Sequence, residues 1–315
     1  MKMNIRLLLA ATMALSVSVM SCSKDKTNTT TTNNDNMGTH SDDQSRVSSE
    51  TDAVANDADN ASEGYAAFSG KGGGTNSGTN NVNICDATTV LDSTLTDRRI
   101  TITYNGTNCS GTRTRTGVVV LTMPLGVHWR DPHAMLTVNV QNLHVTRLSD
   151  NKSITINGIT TYTNSTGGRL IDLPTMGTIV HEIASAGVTV TFDDGSQRIW
   201  QIAKRRTFTY DNGIVISTRG NHTEGSNSNI SEWGTNRFGN AFTASITEPM
   251  IIRQDCNFRL THGEITHDGV LGTAVVTFGL DSSGTPTGCP GSGVYYFKAV
   301  WTGLNGIVRT VIYPY

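Results

Sequence analysis

The chain has 315 residues, of which only 16% are charged, and a formal net charge of −2. Residues 1–21 carry two bases, residues 23–65 hold nine acids against three bases, and the remainder holds seventeen acids against nineteen bases. A folded part so near neutral argues against nucleic acid as a partner, which calls for a basic patch or stripe. Its length suits one large domain or two abutting lobes.

At the N-terminus, Lys2 and Arg6 flank the start of an apolar stretch over residues 7–19. That is shorter than the roughly 20 apolar residues a spanning helix needs, and the layout is that of a secretory signal peptide over residues 1–21. The stretch ends in Val19-Met20-Ser21-Cys22, which resembles a bacterial lipobox with Cys22 as the lipid-accepting residue. With the polar start Ser23-Lys24-Asp25-Lys26, and with stretches of the kind seen at 147–158 and 233–242, the chain resembles outer-membrane and surface lipoproteins of the Bacteroidota. The resemblance implies acylation of Cys22, palmitate included, and a lipid anchor in the outer membrane, on its periplasmic or cell-surface side. It implies no particular chemistry. Two or more acyl chains give stable attachment.

Residues 22–80 are rich in Thr, Asn, Ser, Asp and Gly. Little apolar surface is available there to offset chain entropy, so the composition predicts a disordered tether, extended by its like charges.

The domain proper is expected over residues 81–315. Its four cysteines favour disulfides in an exported chain. Proximity in sequence favours Cys85–Cys109 and Cys256–Cys289, each contributing roughly 3–4 kcal/mol on a chain-entropy basis. No two cysteines form the Cys-x-x-Cys knuckle of a zinc site; no metal or cofactor is expected.

From about residue 98, apolar and polar residues alternate with period two, as in Leu136-Thr137-Val138-Asn139-Val140 and Val188-Thr189-Val190-Thr191-Phe192. β-branched residues and threonine dominate these runs, which suits a half-buried pleated surface. Asn105-Gly106, Asn157-Gly158, Asp194-Gly195, Asn212-Gly213 and Asn305-Gly306 supply tight turns between them. The fold class is therefore all-β, an antiparallel sandwich-like domain or two β lobes after the tether. A weak internal echo recurs: strand, cysteine turn, strand around Cys109 and again around Cys289, each with a partner cysteine upstream.

Candidate sites lie on loops, where a rigid sheet commonly carries function. His128-Trp129-Arg130-Asp131-Pro132-His133 combines an aromatic with ionic groups, and Trp233 and Arg237 lie in a second such cluster. Stacking surfaces beside guanidinium donors suit sugars or acidic groups, so Trp129, Arg130, Trp233 and Arg237 are the expected binding residues. A packed loop around a structural Trp is the competing explanation at each. His222-Thr223-Glu224 and His262-Gly263-Glu264 place two metal-ligand types on one strand face, but His267 falls on the other. Asp193-Asp194-Gly195-Ser196 and Asp281-Ser282-Ser283-Gly284 lack the ligand spacing of a calcium loop. The run Lys204-Arg205-Arg206 reads as an exposed, ion-paired face. Asp92-Ser93-Thr94 resembles the short glycosylation site of exported Bacteroidota proteins. No Gly-x-Ser-x-Gly, His-Glu-x-x-His or phosphate-cradling loop occurs.

These features lean away from an enzyme and point to an envelope-anchored binding or structural module, for a glycan or an envelope protein. A metal-assisted or two-carboxylate hydrolase, drawing on Glu182, Glu232, Glu248 or Glu264, is one alternative. A lipid or lipoprotein chaperone using a concave apolar sheet face is the other.

Overall fold

The computed structural model describes residues 27–70, 82–289 and 293–315, with side chains of the first helix described from residue 36 onward, Met37 excepted. Cys22 and the expected signal peptide lie outside the described residues. Two helices come first, α1 (Thr27–Gly64) and α2 (Ala66–Ser69). Seven strands follow: β1 (Ala87–Ser93), β2 (Asp97–Thr107), β3 (Arg113–Pro124), β4 (Ala134–Arg147), β5 (Ser153–Asn164), then, after the short α3 (Leu173–Met176), β6 (Thr178–Phe192) and β7 (Gln197–Tyr210). The remaining strands are β8 (Ile214–Gly220), β9 (His222–Glu224), β10 (Asn227–Thr235), β11 (Ala241–Arg253), β12 (Arg259–Gly269), β13 (Gly272–Leu280), β14 (Tyr296–Gly303) and β15 (Val308–Pro314).

All fifteen strands among the described residues belong to one antiparallel sheet, as the alternation predicts, and almost every strand pairs with its neighbour in sequence. The one departure is local. β8 and β10 lie end to end between β7 and β11: β7 pairs with β10 through Trp200–Ile202 and with β8 through Lys204–Tyr210. Gly220 ends β8 where a Cβ would lie 1.9 Å from the Asn229 carbonyl oxygen, so only glycine fits that junction.

Both expected disulfides form, with Cα–Cα separations of 5.2 Å for Cys85–Cys109 and 5.3 Å for Cys256–Cys289. Their settings match: Cys85 precedes β1 and Cys109 sits in the β2–β3 turn, while Cys256 precedes β12 and Cys289 lies in the β13–β14 connection. The echo in the sequence is thus an echo in topology.

The expected tether needs correcting in its extent. Residues 36–69 are folded: Val47, Val54, Ala55, Ala58, Ala61, Tyr65 and Phe68 are all buried in the main core with strand residues Ile100, Leu121, Leu136, Val190 and Trp200. Apart from the adjacent pair Val54 and Ala55, these positions recur every three or four residues, or multiples of that spacing, which puts them along one helix face. The opposite side shows only a narrow exposed line through Ser45, Ser49 and Asn56. Laid flat, thirteen strand columns spaced about 4.8 Å apart would span some 58 Å, yet α1 touches Tyr104 on β2, Lys204 on β7 and Trp301 on β14. The sheet therefore curls, and α1 fills its concave side.

Candidate functional site

Because side chains alternate along each strand, alternate residues of the strands that pack on α1 point at it. Several of these are charged. Lys204, 1% exposed, reaches Asp52 at 2.8 Å and Glu232 at 2.9 Å, and Glu232 also accepts a 2.7 Å hydrogen bond from Gln44. Arg115 holds Asp86 in a two-pronged pair at 2.6 and 2.7 Å and Asp57 at 2.9 Å, with Tyr104 donating to the same Asp57. Arg206 and His181 converge on Asp59 at 2.9 and 3.1 Å, Arg113 meets Glu50 at 2.6 Å, and Arg147 meets Asp42 at 2.6 Å. The acids of the expected tether are thus the counter-charges of a basic sheet face.

The electrostatics follow from that burial. Desolvation pushes the carboxyls of Asp43, Glu50 and Asp57 above their ordinary range, against the pull of nearby guanidinium groups. At Asp59 burial also pushes upward, but His181 and Arg206 outweigh it and hold the carboxyl down. Burial would lower Lys204, yet Asp52 and Glu232 keep its ammonium charged. Glu63 rises to about 7, chiefly by desolvation, although it accepts a 3.0 Å hydrogen bond from the Leu170 backbone.

Two of the four expected binding residues belong to this packing. Trp129 is fully buried, its ring edge-on to His181 at 4.9 Å, and its backbone N–H donates to the Phe68 carbonyl at 2.7 Å. Its loop closes over α2, where Gly70 adopts φ +74° with His128 and Arg130 packed too close for any Cβ. Arg237 clamps Asp43 through two 2.6 Å hydrogen bonds, meets Asp193 at 2.7 Å and lies 4.7 Å over the Phe192 ring. Neither presents itself to a ligand: the indole fills core space and the guanidinium is spent on α1. Arg130 remains exposed, and Trp233 is half-buried on the outer sheet face, stacked on His222 at 4.1 Å.

The other sequence candidates separate in the same way. Lys204 and Arg206 point inward, so the expected exposed basic run keeps only Arg205, which pairs with Glu182 at 2.8 Å. His262 and Glu264 share the outer face of β12 while His267 is buried opposite. Glu248 stands across from Glu264 in register, and Glu264 accepts hydrogen bonds from Thr247 and Thr277. The Asp194 and Asp281 carboxylates accept from the backbone N–H two residues on, as turn-forming aspartates do.

What the sequence did not single out is a cleft of about 630 Å³ beside residues 38–42 of α1. Gly38, Thr39 and Asp42 of α1, Lys152 before β5, Trp301 of β14 and Arg309, Thr310 and Val311 of β15 line it. Its volume falls in the range of small-molecule sites. Trp301 is half-buried with its indole N–H donating to Ser41 at 3.0 Å, which fixes the ring, and Arg309 stands directly opposite it in the β14–β15 register. Asp42 is engaged by Arg147, with Lys152 at 3.7 Å. Arg309 is exposed, with no ion pair to another of the described residues. These residues come from three distant parts of the chain, so no local motif announces them.

Comparison with protein-family models, curated proteins and solved structures finds no match for this chain. Among the described residues no helix is long and apolar enough to cross a membrane.

Proposed function

We propose that the protein is an envelope lipoprotein, acylated at Cys22, whose curled sheet acts as a non-enzymatic binding module for an acidic, hydroxyl-rich ligand such as a uronate-bearing glycan segment. The observation that carries the binding reading is the cleft: a fixed Trp301 ring, an exposed Arg309 without an acidic partner among the described residues, and a half-engaged Lys152 meet in one solvent-facing space. An aromatic face stacks on a sugar ring, while Arg and Lys supply charge-assisted hydrogen bonds to a carboxylate. Thr39 and Thr310 add hydroxyls at the same wall. The concave apolar face that a lipid chaperone would use is covered by α1.

Titration calorimetry with oligouronates and matched neutral oligosaccharides tests the site. The acidic series is expected to bind, with Trp301→Ala and Arg309→Ala each weakening it by ten-fold or more. Equal affinity in both variants, or no preference for the acidic series, would remove the assignment. Mass spectrometry of the native protein tests the anchor, which fails if the residue 22 thiol is unmodified.

A further inference from the structure

The sheet curls without closing, so β1 and β15, at the two ends of the strand order, each keep one unpaired edge among the described residues. Which backbone groups lie on that edge follows from the register. In an antiparallel ladder, residues that exchange hydrogen bonds alternate with residues whose N–H and C=O groups point the other way. At β15 the Tyr315 N–H donates to the Tyr295 carbonyl and the Ile307 carbonyl accepts from Gly303. Both bonds fit the unbroken register that sets Arg309 across from Trp301 and Val311 across from Ala299. The odd-numbered residues therefore bond to β14. Val308, Thr310 and Ile312 direct their N–H and C=O groups away from it, and no other described residue bonds to them.

The other edge is partly covered. On β1 the even-numbered residues bond to β2, since Asn105 N–H donates to the Asp86 carbonyl and Thr94 N–H to that of Asp97. Of the outward N–H groups, that of Ala87 donates to the Ile84 carbonyl and that of Ser93 to the Asp92 carboxylate, while Tyr65 hydrogen-bonds the Thr89 hydroxyl. β15 has no such cover. It carries no Lys, Asp or Glu, no bulge interrupts its pairing with β14, and its one proline, Pro314, stands at its end. Ile307, Val308 and Tyr313 are 43%, 57% and 55% exposed. An uncovered edge rich in β-branched residues is a template for another strand.

We propose that β15 pairs with β15 of a second copy of this chain, antiparallel about a two-fold axis through Thr310, so that the two sheets become one. The occupant follows from self-complementarity. This register sets Val308 across from Ile312 of the second copy, Thr310 across from Thr310, and Ile312 across from Val308. Each of the three pairs exchanges two bonds, so every outward N–H and C=O of Val308, Thr310 and Ile312 on both copies is met. Moving the axis to Val311 would set the Pro314 ring, which has no N–H, against the Val308 carbonyl. Moving it the other way would set Ile312 against Gly306, whose N–H is already given to Gly303. The side chains agree with the same register. Three β-branched residues from each copy meet on one face. On the other, Arg309 stands across from Val311 of the second copy, not from its own like charge, and the exposed Ile307 and Tyr313 cover one another. Arg309, Thr310 and Val311 also line the cleft, so pairing sets two clefts side by side. The pairing itself needs no ligand.

Analytical ultracentrifugation of the disulfide-intact chain tests the pairing. A 7-residue strand makes a small interface, so a concentration-dependent equilibrium that stops at the dimer is expected. Thr310→Pro removes an N–H that β14 does not use, a change that edge strands tolerate, and should weaken dimerisation by ten-fold or more. Leu91→Pro makes the same change at an outward position of β1 and should leave dimerisation as it is. Amide hydrogen exchange of the wild type keeps the result readable if a variant fails to fold. Raising the protein concentration should slow exchange at Val308, Thr310 and Ile312, while Arg309, Val311 and Tyr313 stay protected throughout. A chain that remains monomeric up to about 1 mM, a dimer indifferent to Thr310→Pro, growth past the dimer, or concentration-dependent protection on β1 would overturn the pairing.

Discussion

The two faces of the same strands are governed by different physics. On β7, Lys204 points inward and is 1% exposed between Asp52 and Glu232, whereas Arg205, the next residue, points outward and pairs with Glu182 across roughly half-exposed side chains. On β10, Glu232 is buried against Lys204 while Trp233 lies on the outer face against His222. Outside, water screens each charge and a surface pair stabilises by about 1 kcal/mol or less. Inside, a charge is costly unless matched, and each match fixes where α1 must sit. The lesson is that α1 is a polar helix held in register by charge complementarity, with a modest apolar stripe beneath it. A helix bearing that many acids would gain little from an all-apolar groove.

The contrast is sharpest at Lys204. Lys204→Met leaves the fully buried Glu232 carboxylate without its cation, beside the partly exposed Asp52, and should cost about 3–5 kcal/mol in chemical denaturation. Replacing Lys204, Asp52 and Glu232 together with apolar residues of similar volume should recover most of that loss, since the charges then vanish as a set. A single-variant cost below 1 kcal/mol would erase the distinction between the faces.

Glu63 offers a test with a pH signature, because it sits on the inner side without a direct cationic partner; Asp59, Arg169 and Asp172 are the charges near it. Its carboxyl stands at about 7 in the folded protein against 4.5 when free. The folded state therefore binds more protons between those values, and stability falls as pH rises from about 4.5 through 7. Glu63→Gln removes that penalty. Relative to wild type it should gain about 2 kcal/mol between pH 4.5 and pH 8, allowing for partial solvent screening. A difference independent of pH would show that the carboxyl ionises freely. The smallest effect belongs to the outer face: Arg205→Ala should change stability by less than about 1 kcal/mol, and 1 M salt should abolish even that.

The sheet was legible because period two is a local signal. Leu136, Val138 and Val140 alternate with polar residues on β4 and are all buried, and Asn212-Gly213 and Asp194-Gly195 mark real turns. The disulfides were legible because each pair closes a short segment. The helix carried a fainter signal, the stripe Val47, Val54, Ala58, Ala61, Tyr65, Phe68, masked by the Asn, Asp and Ser between its members. The site was harder still. Trp129 and Arg237 have the right chemistry for a rim, yet whether an indole faces water or core depends on what packs over it, and here that is α2 and α1.

By itself the sequence determined the antiparallel sheet, the cysteine pairing and the location of the acidic segment, all of which rest on neighbours or near neighbours in the chain. The tertiary structure alone decided that the acids of that segment face Lys204, Arg115 and Arg206, and that Trp301, Arg309 and Lys152 share a cleft. The reason is physical. Curling a wide sheet brings distant strands onto one helix, and which charges then lose their water is a property of the enclosure, with no local pattern to declare it.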